Sequence, residues 1–157
     1  MNTRIKDARR RHAAFHEAGH VVARWALGLE VTEVCIREDG SGYTCGTEMS
    51  FSGHKWTEKF VLVSLAGPAA EARARKMRTF VIWLTSGRQD VDEAKDLIQR
   101  MGPLDGWLDE YTEQSRQLVN GHWQAIESVA NALIEWSELS AEDIDHLLGE
   151  AGLQVAA

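Results

Sequence analysis

The run from Asp7 to Leu27 constrains this chain most: it is proline-free, rich in alanine and arginine, and carries His16 and His20 one helical turn apart. Apolar residues at Ala14, Val21, Val22 and Trp25 suit a long helix, and Gly28 suits the cap that closes it. Side chains four apart on a helix share a face, so the two imidazoles can reach one zinc ion at about 2.0–2.1 Å. Glu17 lies on the neighbouring edge of that face, too far round to be a ligand but within reach of a water on the metal. Zinc lowers the pKa of such a water towards about 7, and a carboxylate can then take its proton as the oxygen attacks a carbonyl. His16-Glu17-Ala18-Gly19-His20 therefore reads as the HExxH pattern of a metallopeptidase.

The competing reading is two histidines that only pack or face solvent. Gly19 argues against it, because glycine inside a helix costs up to ~1 kcal/mol relative to alanine. Close access to the metal, or close approach of another backbone element, would explain it. The flanking Ala13, Ala14, Phe15, Val21 and Val22 make the helix a buried one, and buried imidazoles need polar partners. Catalytic zinc usually has three protein ligands and an open position. Position 26 is alanine, which excludes the extended motif with a third histidine six residues on. The acidic candidates for the third ligand are Glu71, Asp90, Asp92 and Glu93. Asp90 opens an apolar-periodic helix carrying Val91, Ala94, Leu97, Ile98 and Met101, where a carboxylate could be aimed at another helix or could simply cap its own. Asp92 falls with Lys95 and Gln99 on the other side of that helix.

The remaining pattern is helix, hairpin, then helices. Val31 to Arg37 and Tyr43 to Met49 read as strands around a turn at Glu38 to Gly42, with a loop from Ser50 to His54. Thr57 to Lys76 reads as a helix with Phe60, Val61, Leu62, Leu65, Ala69 and Ala70 inward, and Pro68 is expected to bend or interrupt it. Further helices are expected from about Thr112 to Trp136 and from Ala141 to Leu148, the last opened by Ser140 and Asp143. Trp56 and Trp107 fall in expected loops, where packing or contact with a substrate or partner is open to them. The fold class is α+β, mainly α: a helical zincin-like domain with an HExxH helix and a small antiparallel hairpin or sheet. With two prolines and 157 residues, one domain over 1–157 with a core at about 8–150 is expected.

A net charge of −7 disfavours nucleic acid as a partner, despite the basic Arg4 to Arg11. Cys35 and Cys45 suit reduced, partly buried thiols, with a bridge across the hairpin as the alternative. The polar Asn2 to His12 is unlike a signal peptide, and no apolar run approaches membrane-spanning length. A soluble, cytoplasmic protein is expected.

His16-Glu17-Ala18-Gly19-His20-Val21-Val22-Ala23 resembles the peptidase domain of the FtsH family of ATP-dependent zinc proteases. Gly42-Tyr43-Thr44 is similar to the family's glycine-tyrosine turn, and Leu65-Ala66-Gly67-Pro68-Ala69-Ala70-Glu71 to its Ala-Ala-Glu segment. Thr85 to Ala94 parallels the segment that supplies the family's aspartate ligand, and Leu118 to Leu148 its C-terminal helices. The resemblance runs from about Ala13 to Leu148. It implies Asp90 as third zinc ligand and Asp92 and Glu93 as surface residues. Glu71 by its own chemistry is open to two roles, support to a ligating histidine or a surface carboxylate. The family's glycine-arginine pair is Gly67-Pro68 here, and the Gly102 to Glu110 connection is shorter. No GxxxxGK(S/T) loop occurs, so the expectation is a standalone peptidase without ATPase activity.

Two functions follow. The first is a zinc metalloendopeptidase that acts on peptides or unfolded protein, alone or supplied by a separate ATPase or delivery partner. The second is a non-proteolytic zinc-containing binding or regulatory module, which would have no need of Glu17. The family's protease domains form rings, so the resemblance also admits a homo-oligomer.

Overall fold

The computed structural model describes residues 3–46, 53–104 and 106–150. The alanine- and arginine-rich run forms helix α1, Thr3–Ala26, and its end is closed as its sequence suggests. Gly28 adopts φ 70°, and the Leu29 amide reaches back to the Arg24 carbonyl at 2.8 Å. Strands β1 (Glu33–Ile36) and β2 (Gly42–Cys45) follow as an antiparallel hairpin, with Cys35 opposite Tyr43 and Cys45 opposite Glu33. The two cysteines are diagonal neighbours about 7 Å apart rather than a facing pair. Both are free, and Cys45 is exposed. Gly42-Tyr43-Thr44 is strand, not turn, and residues 47–49 of the longer expected strand lie outside the described residues.

Helix α2, His54–Arg75, starts three residues earlier than its sequence suggests, and Trp56 therefore sits in its first turn. Trp56 packs on the core with Lys59 4.6 Å over its ring, so it is not a free loop aromatic. Pro68 does not interrupt α2, which runs through it. Every residue from Val63 to Ala72 is buried, because α2 is the central helix and meets α1, α4 and α5 on different sides. A helix enclosed on several sides has no single inner face, which is why the one-sided apolar pattern expected for it is too narrow.

Short α3 (Thr79–Trp83) leads to α4 (Arg88–Met101). The single helix expected over Thr112 to Trp136 is two, α5 (Trp107–Gly121) and α6 (Trp123–Trp136), broken at His122. The two have different partners: α5 lies on α2, whereas α6 lies on α1, where Trp123 stacks on Phe15 at 5.5 Å. No proline marks that change of direction. Trp107 belongs to α5 and packs with Met101 and Leu104 on the smaller core around Val61, Leu65 and Ile98. Strand β3 (Glu138–Ser140) adds to the free side of β1, giving the order β2-β1-β3, and Leu139 is buried opposite Val34. Ser140 and Asp143 then cap α7, Ala141–Glu150, reciprocally: the Ser140 amide donates to Asp143 Oδ2 at 2.9 Å, and the Asp143 amide to Ser140 Oγ at 3.3 Å.

The protein is thus mainly helical α+β with a small antiparallel sheet. Among the described residues no helix is long and apolar enough to cross a membrane.

Gly19 is explained by the crossing of α1 and α2. A Cβ there would stand 2.6 Å from the Ala66 carbonyl oxygen and 2.7 Å from Ala70 Cβ, closer than real contacts allow. Gly19→Ala gains helix propensity of at most ~1 kcal/mol but overpacks a backbone contact, at a cost of about 1–3 kcal/mol. It is expected to lower the urea denaturation midpoint. A midpoint above that of the wild type would contradict this crossing.

Candidate metal centre

Helices α1 and α4, both packed on α2, bring His16, His20 and Asp90 together. The histidines share a face of α1, with ring centroids 4.9 Å apart. Asp90 comes from the first turn of α4, whose N-cap is Gly87, so its carboxylate is not used as a cap. A Cβ on Gly87 would stand 2.7 Å from Pro68 Cγ, which shows how closely the start of α4 is seated on α2. Asp90 Oδ2 lies 3.1 Å from His16 Nε2, and Oδ1 lies 3.2 Å from His20 Nε2. One donor atom from each of the three falls within 4.8 Å of the others, a cluster that could hold a metal ion.

Hydrogen bonding on the far sides of the rings fixes which nitrogens face Asp90. His16 Nδ1 donates to Glu71 Oε2 at 2.9 Å, and His20 Nδ1 donates to the Val63 carbonyl at 2.8 Å. In the neutral rings Nε2 is then an acceptor on both, and each faces a carboxylate oxygen. Acceptors that close repel unless a proton or a cation lies between them. Two imidazole nitrogens and a carboxylate, with the opposite nitrogens anchored to a carboxylate and a carbonyl, are a donor set suited to a divalent metal.

In the protein without metal, a proton takes that part on His16. Burial disfavours charge on His16, but the hydrogen bonds to Asp90 and Glu71 outweigh it and raise its pKa to about 10. Burial acts on Asp90 in the opposite sense to its hydrogen bonds with His16 and His20, which prevail and hold it well below the usual carboxylate range. Glu71 is likewise lowered against its burial, by His16, Ser86 and Arg75. It is buried and fully engaged: Ser86 Oγ donates to both of its oxygens at 2.7 and 2.8 Å, and Arg75 Nη1 to Oε1 at 2.6 Å. Glu71 therefore supports a histidine and is not a surface carboxylate.

Asp92 is turned away, exposed, and 3.9 Å from both Arg88 and Lys95. Glu93 is exposed as well, yet it lines the cleft that contains the cluster. That open cleft of about 830 Å³ follows α1 from Arg9 and His12 to Arg24, and β2 borders it. Glu17, buried beside the histidines, also lines it, with Oε2 2.8 Å from Thr44 Oγ1. No protein-family model matches the chain.

Spacing alone assigns nothing to Thr44, Ser86 or the Val63 carbonyl. They meet the site only through the packing of β2, α2 and the α3–α4 connection. His12, one turn before His16 and also lining the cleft, does carry a readable signal in its i, i+4 spacing.

The proton-linked network has a pH signature. Stability from His16 is fully present below the unfolded value of 6.5 and is lost as the pH rises towards about 10. Stability from Asp90 and Glu71 is present above their unfolded values of 3.8 and 4.5 and is lost on acidification. The chelated protein is expected to be most stable at about pH 5–6.5. Denaturation midpoints that keep rising from there towards pH 9 would exclude the network.

Proposed function

We propose that this chain is a zinc-dependent metallopeptidase, with His16, His20 and Asp90 as metal ligands and Glu17 as general base. The observation that carries the reading is the convergence of two outward-anchored imidazoles and Asp90 beside a buried glutamate that is not itself part of the cluster. The same ligand types also serve ferrous oxygenases. Glu17 favours hydrolysis, since a base next to the metal has work in activating water and none as a ligand. The resemblance of the HExxH helix, the Ala-Ala-Glu segment and the Asp90 segment to FtsH-type peptidase domains supports the same choice.

Bound zinc would supply Lewis acidity, lowering the pKa of a water and polarising the substrate carbonyl. The chain's own groups do the rest. Glu71 and the Val63 carbonyl hold His16 and His20 in the tautomer that offers Nε2. Glu17 accepts the proton of the attacking water and passes it to the leaving amine. Strand β2 is an edge strand of the sheet and borders the cleft, and among the described residues no strand pairs with its other edge, which can take an extended peptide as an added strand. Such a site suits peptides and unfolded segments, with folded substrates reaching it through a separate unfolding partner.

Purified protein is expected to hold one zinc per chain. His16→Ala, His20→Ala and Asp90→Ala should each weaken zinc binding by about 10-fold or more, whereas Asp92→Ala should leave it unchanged. Zinc titration against a chromogenic chelator reads these effects. Metal loss in Asp92→Ala with retention in Asp90→Ala would overturn the ligand set.

Glu17→Gln separates base from ligand. It should keep stoichiometric zinc and lose casein or peptide hydrolysis by about 100-fold or more. Loss of zinc in parallel with activity would make Glu17 structural.

A further inference from the structure

Glu17 is held from one side by β2, an edge strand of the sheet. Its Oε2 accepts a hydrogen bond from the Thr44 hydroxyl at 2.8 Å, and that hydroxyl is also 3.5 Å from the Glu17 carbonyl oxygen. Gly42, two residues earlier on β2, shares that face of the strand. A Cβ on Gly42 would stand 2.8 Å from Glu17 Oε1 and 2.7 Å from its Cγ. Gly42 is not among the residues with positive φ, so space rather than backbone conformation is what requires glycine there. The strand thus presents a donor to one carboxylate oxygen and a gap to the other.

We propose that Thr44 is a positioning residue for Glu17, and that Gly42 provides the room in which the positioned carboxylate sits. Thr44 occupies Oε2 and fixes the side-chain torsions, which leaves Oε1 as the oxygen that meets the attacking water. A hydroxyl donating to a carboxylate is a charge-assisted bond, strong enough to select one rotamer of a short acidic side chain. Selecting it beforehand matters, because a base held slightly out of place loses rate without losing substrate binding. The proposal rests on the metallopeptidase reading, in which Glu17 is the base. A merely structural role, tying β2 to α1, would leave kcat untouched once the protein is folded.

The test compares Thr44→Val, Thr44→Ser and wild type. Valine keeps the shape and strand preference of threonine but removes the donor. Thr44→Val is expected to lower kcat by roughly 10- to 100-fold, with KM within about threefold of wild type. Zinc affinity by chelator competition should not change. Thr44→Ser keeps the hydroxyl and should restore kcat to within about threefold. An independent readout comes from the metal-free protein: the drop in denaturation midpoint caused by Thr44→Val should shrink in a Glu17→Ala background, since the partner is gone. An inactive wild type overturns the peptidase reading, and the denaturation cycle then decides by itself whether Thr44 holds Glu17. In an active wild type, an unchanged kcat in Thr44→Val, a serine variant as impaired as the valine one, or an additive cycle each overturns the positioning role.

Discussion

At Gly19 the backbone of α1 comes so near α2 that the Ala66 carbonyl and Ala70 Cβ fill the space a side chain would need. The same crossing continues at Gly67, where a Cβ would fall on the His20 ring. Two glycines facing each other let the helix axes approach, and the approach brings His20 Nδ1 to the Val63 carbonyl and His16 Nδ1 to Glu71. Separate the helices by the width of one methyl group and both anchors are lost together. The Nε2 atoms that face Asp90 would then be free to turn, so the capacity of this cluster to hold a metal ion depends on a contact between groups that could not bind one themselves.

The second consequence of that crossing is electrostatic. A histidine with Asp90 on one nitrogen and Glu71 on the other is enclosed by carboxylates in a buried setting. An unpaired carboxylate there would be costly. Ser86 and Arg75 spread the charge of Glu71 over further donors. On the side of Asp90 the balance is left to whatever cation lies between the rings, a proton or a metal. The fold therefore carries a standing preference for positive charge at one point, for which a proton and a metal ion would compete.

Pro68 links this core to Asp90. A proline inside a helix removes one backbone donor, but α2 is embedded among α1, α4 and α5 and remains continuous. Its ring instead provides a flat seat for Gly87, from which α4 starts and Asp90 projects. The residue that reads in sequence as an interruption acts in the folded protein as a support for the next helix. The glycine-proline pair thus places α4 while the glycine at the same step admits His20.

The alternation of charged and apolar residues along α1, the one-turn spacing of His16 and His20, and the cap at Gly28 are local properties, and the sequence by itself determined them. Local rules also sufficed for the hairpin and for the Ser140–Asp143 cap, because each depends on neighbours within a few residues. Helix position favoured Asp90 over Asp92, but singling it out among the four acidic candidates took the resemblance, since a residue 70 positions from His20 has no local mark of its partner. The break at His122, the strand Glu138–Ser140 and the enclosure of α2 were decided by tertiary structure, as each exists only because another element occupies the adjoining space. Thr44, Ser86 and the Val63 carbonyl belong with these. A hydroxyl or a carbonyl is common and locally unremarkable, and it becomes specific only when packing brings it within hydrogen-bond distance of one ring or one carboxylate.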